Sequence, residues 1–180
     1  MNNAEKTCKV TFLLIIGESG SGKTEIEKYL VSTGKAVNLV SHTTRPIRVG
    51  EIENVNHIFD LGFNVNKKNI FAYTKFGGHD YWTTIDDVIK LAKKKLPIIY
   101  VIDEDGYKSI KNHFPLSNKY TLRIIRENKN VSKDRLDRDK NKFNMPLYAF
   151  DFILENNGTL EEAFNKADKI INKINYYENT

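Results

Sequence analysis

The fold is decided by the stretch Gly17-Glu18-Ser19-Gly20-Ser21-Gly22-Lys23-Thr24, which fits the pattern G-x-x-x-x-G-K-[ST]. In this phosphate-loop motif the glycines let backbone N–H groups turn inward around a nucleotide's β-phosphate. Lys23 is placed to reach the β/γ oxygens, and the Thr24 hydroxyl to bind Mg²⁺. An apolar run over residues 10–16 predicts a buried strand before the loop, and Ile26, Tyr29 and Leu30 predict a helix after it. The stretch therefore indicates a bound nucleoside triphosphate, with ATP the expected one.

Length and composition limit the possible architecture and location of the protein. A chain of 180 residues, 40% of them hydrophobic, can bury one substantial core, which favours a single domain with a small insertion. Cys8 is the only cysteine, which excludes an internal disulfide and a cysteine-based zinc cluster and fits a reducing compartment. No apolar run has the length of a membrane span, and residues 1–9 are polar, so we expect a soluble, cytoplasmic protein without a membrane partner.

The net charge of +5 does not by itself indicate a nucleic-acid partner, because 23 acidic residues are interspersed among the basic ones. A phosphorylated small molecule explains local arginines equally well. We expect no nucleic-acid partner.

Apolar segments along the chain alternate between strand and helix character. Strands are predicted over residues 36–40, 97–103, 119–125 and 149–154, and helices from the phosphate loop to Thr33, from the capping box at residues 84–87 to about 95, over 105–113, and from the capping box at 159–162 onward. This order predicts an α/β fold with a parallel core sheet flanked by helices. We expect the core over residues 8–51 and 84–175, a β-rich acceptor-binding insertion over 52–83, and a short charged lid over 127–148.

Two further features point to a site. The loop at residues 41–51 breaks all periodicity and carries Arg45 and Arg48 around Pro46, and arginine forks bind phosphate oxygens in a bidentate manner. Asp103 ends a predicted parallel strand, and ligands of such sheets collect at the carboxyl ends of the strands. Asp103 could also serve simply as a cap for the following helix.

The site loop reads Ser-x-Thr-Thr-Arg-x-x-Arg-x-Gly-Glu, and this motif closely resembles the acceptor-phosphate loop of the guanylate kinases. Further matches follow in order: Gly78-x-x-Tyr81-x-Thr83, Ile102-Asp103, and Phe150-Asp151-Phe152-Ile153-x-x-Asn156. The resemblance runs from Val10 to Ile171. It implies a P-loop kinase that transfers the γ-phosphate of ATP to GMP or dGMP, with Mg²⁺ as cofactor.

The resemblance also implies roles for individual residues. The acceptor would be held by Ser41, Arg45, Arg48, Tyr81 and Thr83, with His57 at the place of a family tyrosine. Lys23 and the lid arginines Arg135 and Arg138 would neutralise the transferred phosphate, and Asp103, with Thr24, would hold Mg²⁺. A charged run such as residues 126–140 can also be a solvated surface, which is the alternative for Arg135 and Arg138.

The chain departs from the family where the guanine is read. Ala72 and Val101 stand where the family has base-reading carboxylates, and the lid is short. Two alternatives therefore stay open beside GMP: a kinase of the same fold acting on a phosphosugar such as ribose 1,5-bisphosphate, and a non-catalytic guanylate-kinase-like binding module. The complete Gly22-Lys23-Thr24 favours an enzyme over a binding module.

Overall fold

The structure is a computed structural model, and it describes residues 10–60, 62, 66–110, 114, 117–128, 130–139 and 143–179. The strands are β1 Thr11–Ile16, β2 Val37–Asn38, β3 His42–Thr43, β4 Ile58–Phe59, β5 Ile70–Phe76, β6 His79–Thr84, β7 Ile98–Val101, β8 Asn118–Ile125 and β9 Phe152–Glu155. The helices are α1 Lys23–Ser32, α2 Ile85–Ala92, α3 Glu104–Ile110, α4 Lys133–Asp139 and α5 Leu160–Asn179, with short 3₁₀ turns at Lys67–Asn69 and Leu147–Ala149.

The core sheet has the strand order β2-β7-β1-β8-β9, and every neighbouring pair is parallel. This confirms the predicted α/β fold with a parallel core sheet. The central strand β1 is almost entirely buried, as its unbroken apolar sequence predicts. Its carboxyl end leads directly into Gly17, so the phosphate loop lies at the edge of the sheet where ligands of such folds collect.

Alternate side chains of β1 enter two separate apolar clusters. Leu13 and Ile15 pack with α1 and α5, whereas Phe12, Leu14 and Ile16 pack on the other face beneath α2, α3 and β5. This division follows from the two-residue period of a strand. Helices therefore cover both faces, and the loops at the carboxyl ends of the strands are held by a rigid layer.

A second, mixed sheet lies beside the core, with the strand order β4-β3-β6-β5. The predicted insertion supplies β4, β5 and β6, whereas β3 begins the arginine loop. His42 pairs with Trp82 across β3 and β6, and the two rings stack. The fully buried Trp82 is a packing residue, and it fixes the arginine loop to the β5–β6 hairpin.

Several element ends differ from the predicted ones. β9 begins at Phe152 and not at 149, because the Asp151 carboxylate accepts hydrogen bonds from the Thr121 backbone N–H and hydroxyl, both at 2.7 Å, where a longer strand would pair. β2 is only two residues long. The last predicted residues of α3, up to His113, lie outside the described residues, as do positions 129 and 140–142 of the predicted lid. In the described part of the chain, no helix is long and apolar enough to cross a membrane.

Candidate active site

The phosphate loop is held in place by contacts from distant parts of the chain. Gly22 has φ 99°, and a side chain there would collide with the amide of Asn156. That amide donates a hydrogen bond of 2.8 Å to the Ser21 carbonyl. At Gly17 an added Cβ would lie 2.7 Å from the Ile124 carbonyl oxygen. Close approach of neighbouring atoms therefore requires glycine at both positions, and at Gly22 the positive φ requires it as well.

The Lys23 ammonium lies over the beginning of the loop. Its Nζ donates hydrogen bonds of 2.7 Å to the carbonyl oxygens of Gly17 and Glu18. These contacts hold the ammonium group at the first residues of the loop.

The lid approaches the loop at the same point. Asp139, at the end of α4, is buried, and its carboxylate accepts hydrogen bonds from the Ser19 backbone N–H at 2.5 Å and the Ser19 hydroxyl at 3.2 Å. Nearby, the buried Arg123 guanidinium lies 4.7 Å from the Phe143 ring and 3.6 Å from the Glu18 carboxylate. Neither contact was predicted from the sequence. An aspartate in a charged run and an arginine in a strand have no local sequence pattern that indicates a contact with the phosphate loop.

Arg45 is the most constrained residue of the acceptor loop. Its side chain is 5% exposed, and the guanidinium forms a bidentate pair with Glu51 at 2.8 and 2.9 Å, while Nε donates to the Tyr81 hydroxyl at 3.1 Å. Burial opposes ionisation of Glu51, but the Arg45 fork and the Arg48 backbone N–H hold the pKa of this carboxyl below its ordinary value. The pair fixes Arg45 and Tyr81 in one orientation, with Arg48 exposed at the rim.

His57 and Thr83 differ in their access to ligand. Burial and the nearby Arg45 charge lower the pKa of His57, so its imidazole is neutral at neutral pH. The ring edges lie against Tyr81 and Phe59. Thr83 is fully buried, and among the described residues it lines neither of the two cavities of the site. Direct acceptor contact is therefore supported by this geometry for His57 and not for Thr83.

Two neighbouring cavities lie between the phosphate loop, the acceptor loop and the lid. The larger, of about 530 Å³, runs along α1 past Thr24 and Glu27 to Arg45 and Arg48. The smaller, of about 260 Å³, lies between Ser19 and Lys23 on one side and the acceptor loop and β5 on the other. Both are lined by Ser41, His57, Tyr81, Val101 and Arg135. The predicted lid arginine Arg135 thus borders both cavities, whereas the side chain of Arg138 lies outside the described residues.

Asp103 caps a helix and also faces the smaller cavity. One carboxylate oxygen accepts a hydrogen bond of 2.7 Å from the Gly106 N–H in α3, and the other accepts one of 3.0 Å from the Thr74 hydroxyl. Thr24 borders the larger cavity, so the two predicted metal ligands line two adjoining cavities of the site. No group of three or more metal-binding side chains occurs among the described residues.

The oxygen chemistry of these residues still suits Mg²⁺, which binds through one or two protein oxygens together with substrate phosphates and water. Thr24 presents a hydroxyl one residue after the phosphate-loop lysine, and Asp103 presents a carboxylate at the same edge of the sheet.

Two glutamates near the site lie in different environments. Burial raises the pKa of Glu27 in the larger cavity to about 7. Glu104 is buried in α3, and its carboxylate accepts backbone hydrogen bonds from Asn144 at 2.8 Å and Met145 at 3.0 Å. Glu104 therefore ties the end of the lid segment to the core.

A phosphate loop after the first strand of a parallel sheet, facing a second loop that carries two arginines across a shared cavity, defines a P-loop phosphotransferase. The sequence model of the guanylate kinase family matches residues 9–174. The chain belongs to the guanylate kinase family, and it is an ATP-dependent nucleoside monophosphate kinase.

Individual relatives agree with this assignment. The chain is 30% identical over 176 residues to a guanylate kinase of Prochlorococcus marinus, covering 88% of this chain and 95% of the relative. It is 30% identical over 138 residues to a guanylate kinase of Legionella pneumophila, covering 73% of this chain and 65% of the relative. The crystal structure of guanylate kinase from Anaplasma phagocytophilum has the same fold, with a TM-score of 0.59 and 19% identity over 97% of this chain and 89% of that one. These relatives lend no support to a phosphosugar kinase or a non-catalytic binding module.

Proposed function

We propose that the chain transfers the γ-phosphate of ATP to GMP or dGMP, forming ADP and the nucleoside diphosphate. The observation that carries this proposal is the smaller cavity, where Ser19 and Lys23 of the donor loop face Ser41 and Tyr81 of the acceptor loop. Two phosphate-binding surfaces that line one cavity can bring the attacking and transferred phosphates together. Proximity of this kind is the main requirement of phosphoryl transfer, which needs little covalent chemistry from the protein.

The acceptor phosphate binds to Arg45 and Arg48, assisted by Ser41, Tyr81 and His57. The bidentate pair with Glu51 supports this role, because an arginine already held in one rotamer loses little entropy when the phosphate arrives. His57 in its neutral form can donate to or accept from the ligand without adding charge.

The donor phosphates are cradled by residues 17–24, and Lys23 moves from the loop carbonyls to the β/γ oxygens. Mg²⁺ accompanies ATP, with Thr24 as ligand and Asp103 acting through water, and it neutralises charge on the transferred group. Arg135 and Arg138 add positive charge from the lid. The position of Arg135 beside both cavities supports this role.

The insertion at residues 52–83 and the lid at 127–148 close over the rest of the domain, whose core comprises residues 8–51 and the remainder of 84–175. Covers of this kind exclude water that would otherwise hydrolyse ATP. A reducing compartment rich in ATP, such as the cytoplasm, fits the cysteine content.

The proposal is tested by a phosphoryl-acceptor screen with ATP and Mg²⁺, measuring ADP formation against the acceptor-free background. We expect GMP and dGMP to raise ADP formation at least about 100-fold, since effective catalysis requires both phosphates in the shared cavity. ADP formation that rises with ribose 1,5-bisphosphate and not with any nucleoside monophosphate would contradict the proposal.

A further inference from the structure

Arg123 is a buried cation in the core sheet, next to the phosphate loop. It lies on β8, where it pairs with Ile16, the last residue before that loop. Its neighbours Leu122 and Ile124 pack with α1 and α5, so the Arg123 side chain lies on the other face of the sheet. Only 9% of the residue is exposed. A charged group is rarely buried to this extent unless a partner compensates for its lost hydration.

The contacts of Arg123 within the described part of the chain satisfy few of its hydrogen-bond donors. Nη2 lies 3.6 Å from the Glu18 carboxylate, which is longer than a hydrogen bond. The ring centres of Phe143 and Phe150 lie 4.7 and 5.9 Å from the guanidinium carbon and attract its charge. Nε and Nη1 are buried and have no hydrogen-bond partner among the described residues. Three N–H groups, one on Nε and two on Nη1, are therefore unsatisfied.

These unsatisfied N–H groups lie close to the place of phosphate transfer. Phe143, which packs against the guanidinium, also lines the smaller cavity together with Ser19 and Lys23 of the phosphate loop. The acceptor loop and Tyr81 face the same cavity. The phosphate that binds there is consequently the one that passes from donor to acceptor. A guanidinium beside such a phosphate can stabilise the charge that develops on it.

We propose that Arg123 binds the γ-phosphate of ATP in the reacting complex and neutralises charge on it during transfer. This inference rests on the proposed function and adds a catalytic residue to its site. Without nucleotide, Glu18 is the anion beside the guanidinium. A triphosphate carries more negative charge than one carboxylate, so it takes the place of Glu18, and the Phe143 ring moves aside. Nε and Nη1 then donate to phosphate oxygens in a bidentate contact.

Two consequences separate this role from a purely structural one. ADP has no γ-phosphate, so removal of the guanidinium should weaken the binding of ATP and leave that of ADP unchanged. Arg123→Met also removes a buried charge whose N–H groups lack partners, so the Tm of the free protein should stay the same or rise. A residue that only packs the core would give a lower Tm and equal effects on the two nucleotides.

The test measures the affinities for ATP·Mg²⁺ and ADP·Mg²⁺ by calorimetry without acceptor, and kcat with GMP, in the wild-type chain and three variants. The variants are Arg123→Met, Arg123→Lys and Lys119→Met. Lys119 is the matched control, because it is a cation on the same face of β8 at the other end of the strand, where its Nζ donates a hydrogen bond of 3.0 Å to the Phe114 carbonyl.

We expect Arg123→Met to weaken ATP binding about 10- to 100-fold and to lower kcat about 100-fold, with the affinity for ADP within about 2-fold of wild type. Arg123→Lys keeps the charge and loses the bidentate fork, so it should weaken ATP binding about 3- to 10-fold. Lys119→Met should bind both nucleotides as the wild-type chain does.

An equal loss of affinity for ATP and ADP in Arg123→Met overturns the inference, and so does a wild-type kcat in this variant. If Arg123→Met does not fold, Arg123→Lys decides, and a wild-type ratio of ATP to ADP affinity in that variant overturns the inference. Failure of the wild-type chain to phosphorylate GMP is a different result, because it contradicts the proposed function itself, whereas the comparison of ATP with ADP needs no acceptor.

Discussion

Replacing Arg45 by alanine tests both the binding of the acceptor phosphate and the stability that the Arg45–Glu51 pair gives to the fold. The guanidinium has five N–H groups: Nε donates to Tyr81, Nη1 donates to the Pro46 carbonyl and to Glu51, and Nη2 donates to Glu51. Four are engaged within the described residues, which leaves one for the acceptor phosphate. A hydrogen bond to a charged group contributes about 1.5 to 3 kcal/mol, so Arg45→Ala should raise the acceptor KM about 10- to 150-fold.

The same change should destabilise the fold, because it leaves Glu51 without its cation. Breaking a fully buried pair costs about 3 to 5 kcal/mol, and the partial exposure of Glu51 reduces this to about 2 kcal/mol. For a chain of this length, that corresponds to a fall in Tm of about 4 to 8 °C. Arg48→Ala is the matched control, because Arg48 is exposed and should raise the acceptor KM without lowering Tm by more than about 1 °C.

The assays are steady-state kinetics with varied acceptor and thermal unfolding of the same preparations. Arg45→Ala/Glu51→Ala should recover part of the lost Tm and none of the acceptor affinity. A Tm shift in Arg45→Ala no larger than that in Arg48→Ala would refute the reasoning about the buried pair. An unchanged acceptor KM would refute the phosphate contact.

Three further changes probe the surroundings of the site. Asp139→Asn should tighten ATP binding about 3- to 10-fold, measured by calorimetry, because the charged carboxylate occupies phosphate-loop donors; weaker binding would contradict this competition. Asn156→Ala removes the amide that donates a hydrogen bond to the Ser21 carbonyl and should weaken ATP binding about 10-fold. Unchanged affinity would show that the phosphate loop keeps its conformation without this hydrogen bond. The folded-state pKa of Glu27, about 7, lies above its ordinary value, so stability should fall as pH rises from about 4.5 through 7. Glu27→Gln should remove this decline in stability, whereas Glu25→Gln, at an exposed position, should not. Equal profiles of stability against pH for the two variants would contradict the assignment of the decline to Glu27.

Local sequence patterns predicted the secondary-structure elements and the phosphate loop, because each of these depends on residues that are neighbours in the sequence. The phosphate loop, the buried strand β1 and the capping box of Thr84 and Asp87 are all present as expected. Both capping-box hydrogen bonds form, at 3.1 Å each. Such features are encoded within a few positions, so a single sequence contains them.

The contacts that define the site could not be predicted in the same way. Asp139 and Ser19 are 120 positions apart, and Asn156 and Ser21 are 135 apart. Their meeting depends on the order of strands in the core sheet and on the path of the lid, neither of which has a local signature. The resemblance assigned Arg45 to the acceptor loop, but its bidentate partner Glu51 emerged only from the folded geometry.

Direct movement of the γ-phosphate of ATP to the phosphate of GMP is the step on which the proposed function depends. It is tested most directly by incubating the chain with Mg²⁺, GMP and ATP labelled in the γ position, and separating the labelled products. We expect label to appear in GDP in an amount equal to the ADP formed, and Lys23→Ala to abolish this transfer. Label released only as inorganic phosphate, or transfer at the wild-type rate by Lys23→Ala, would contradict it.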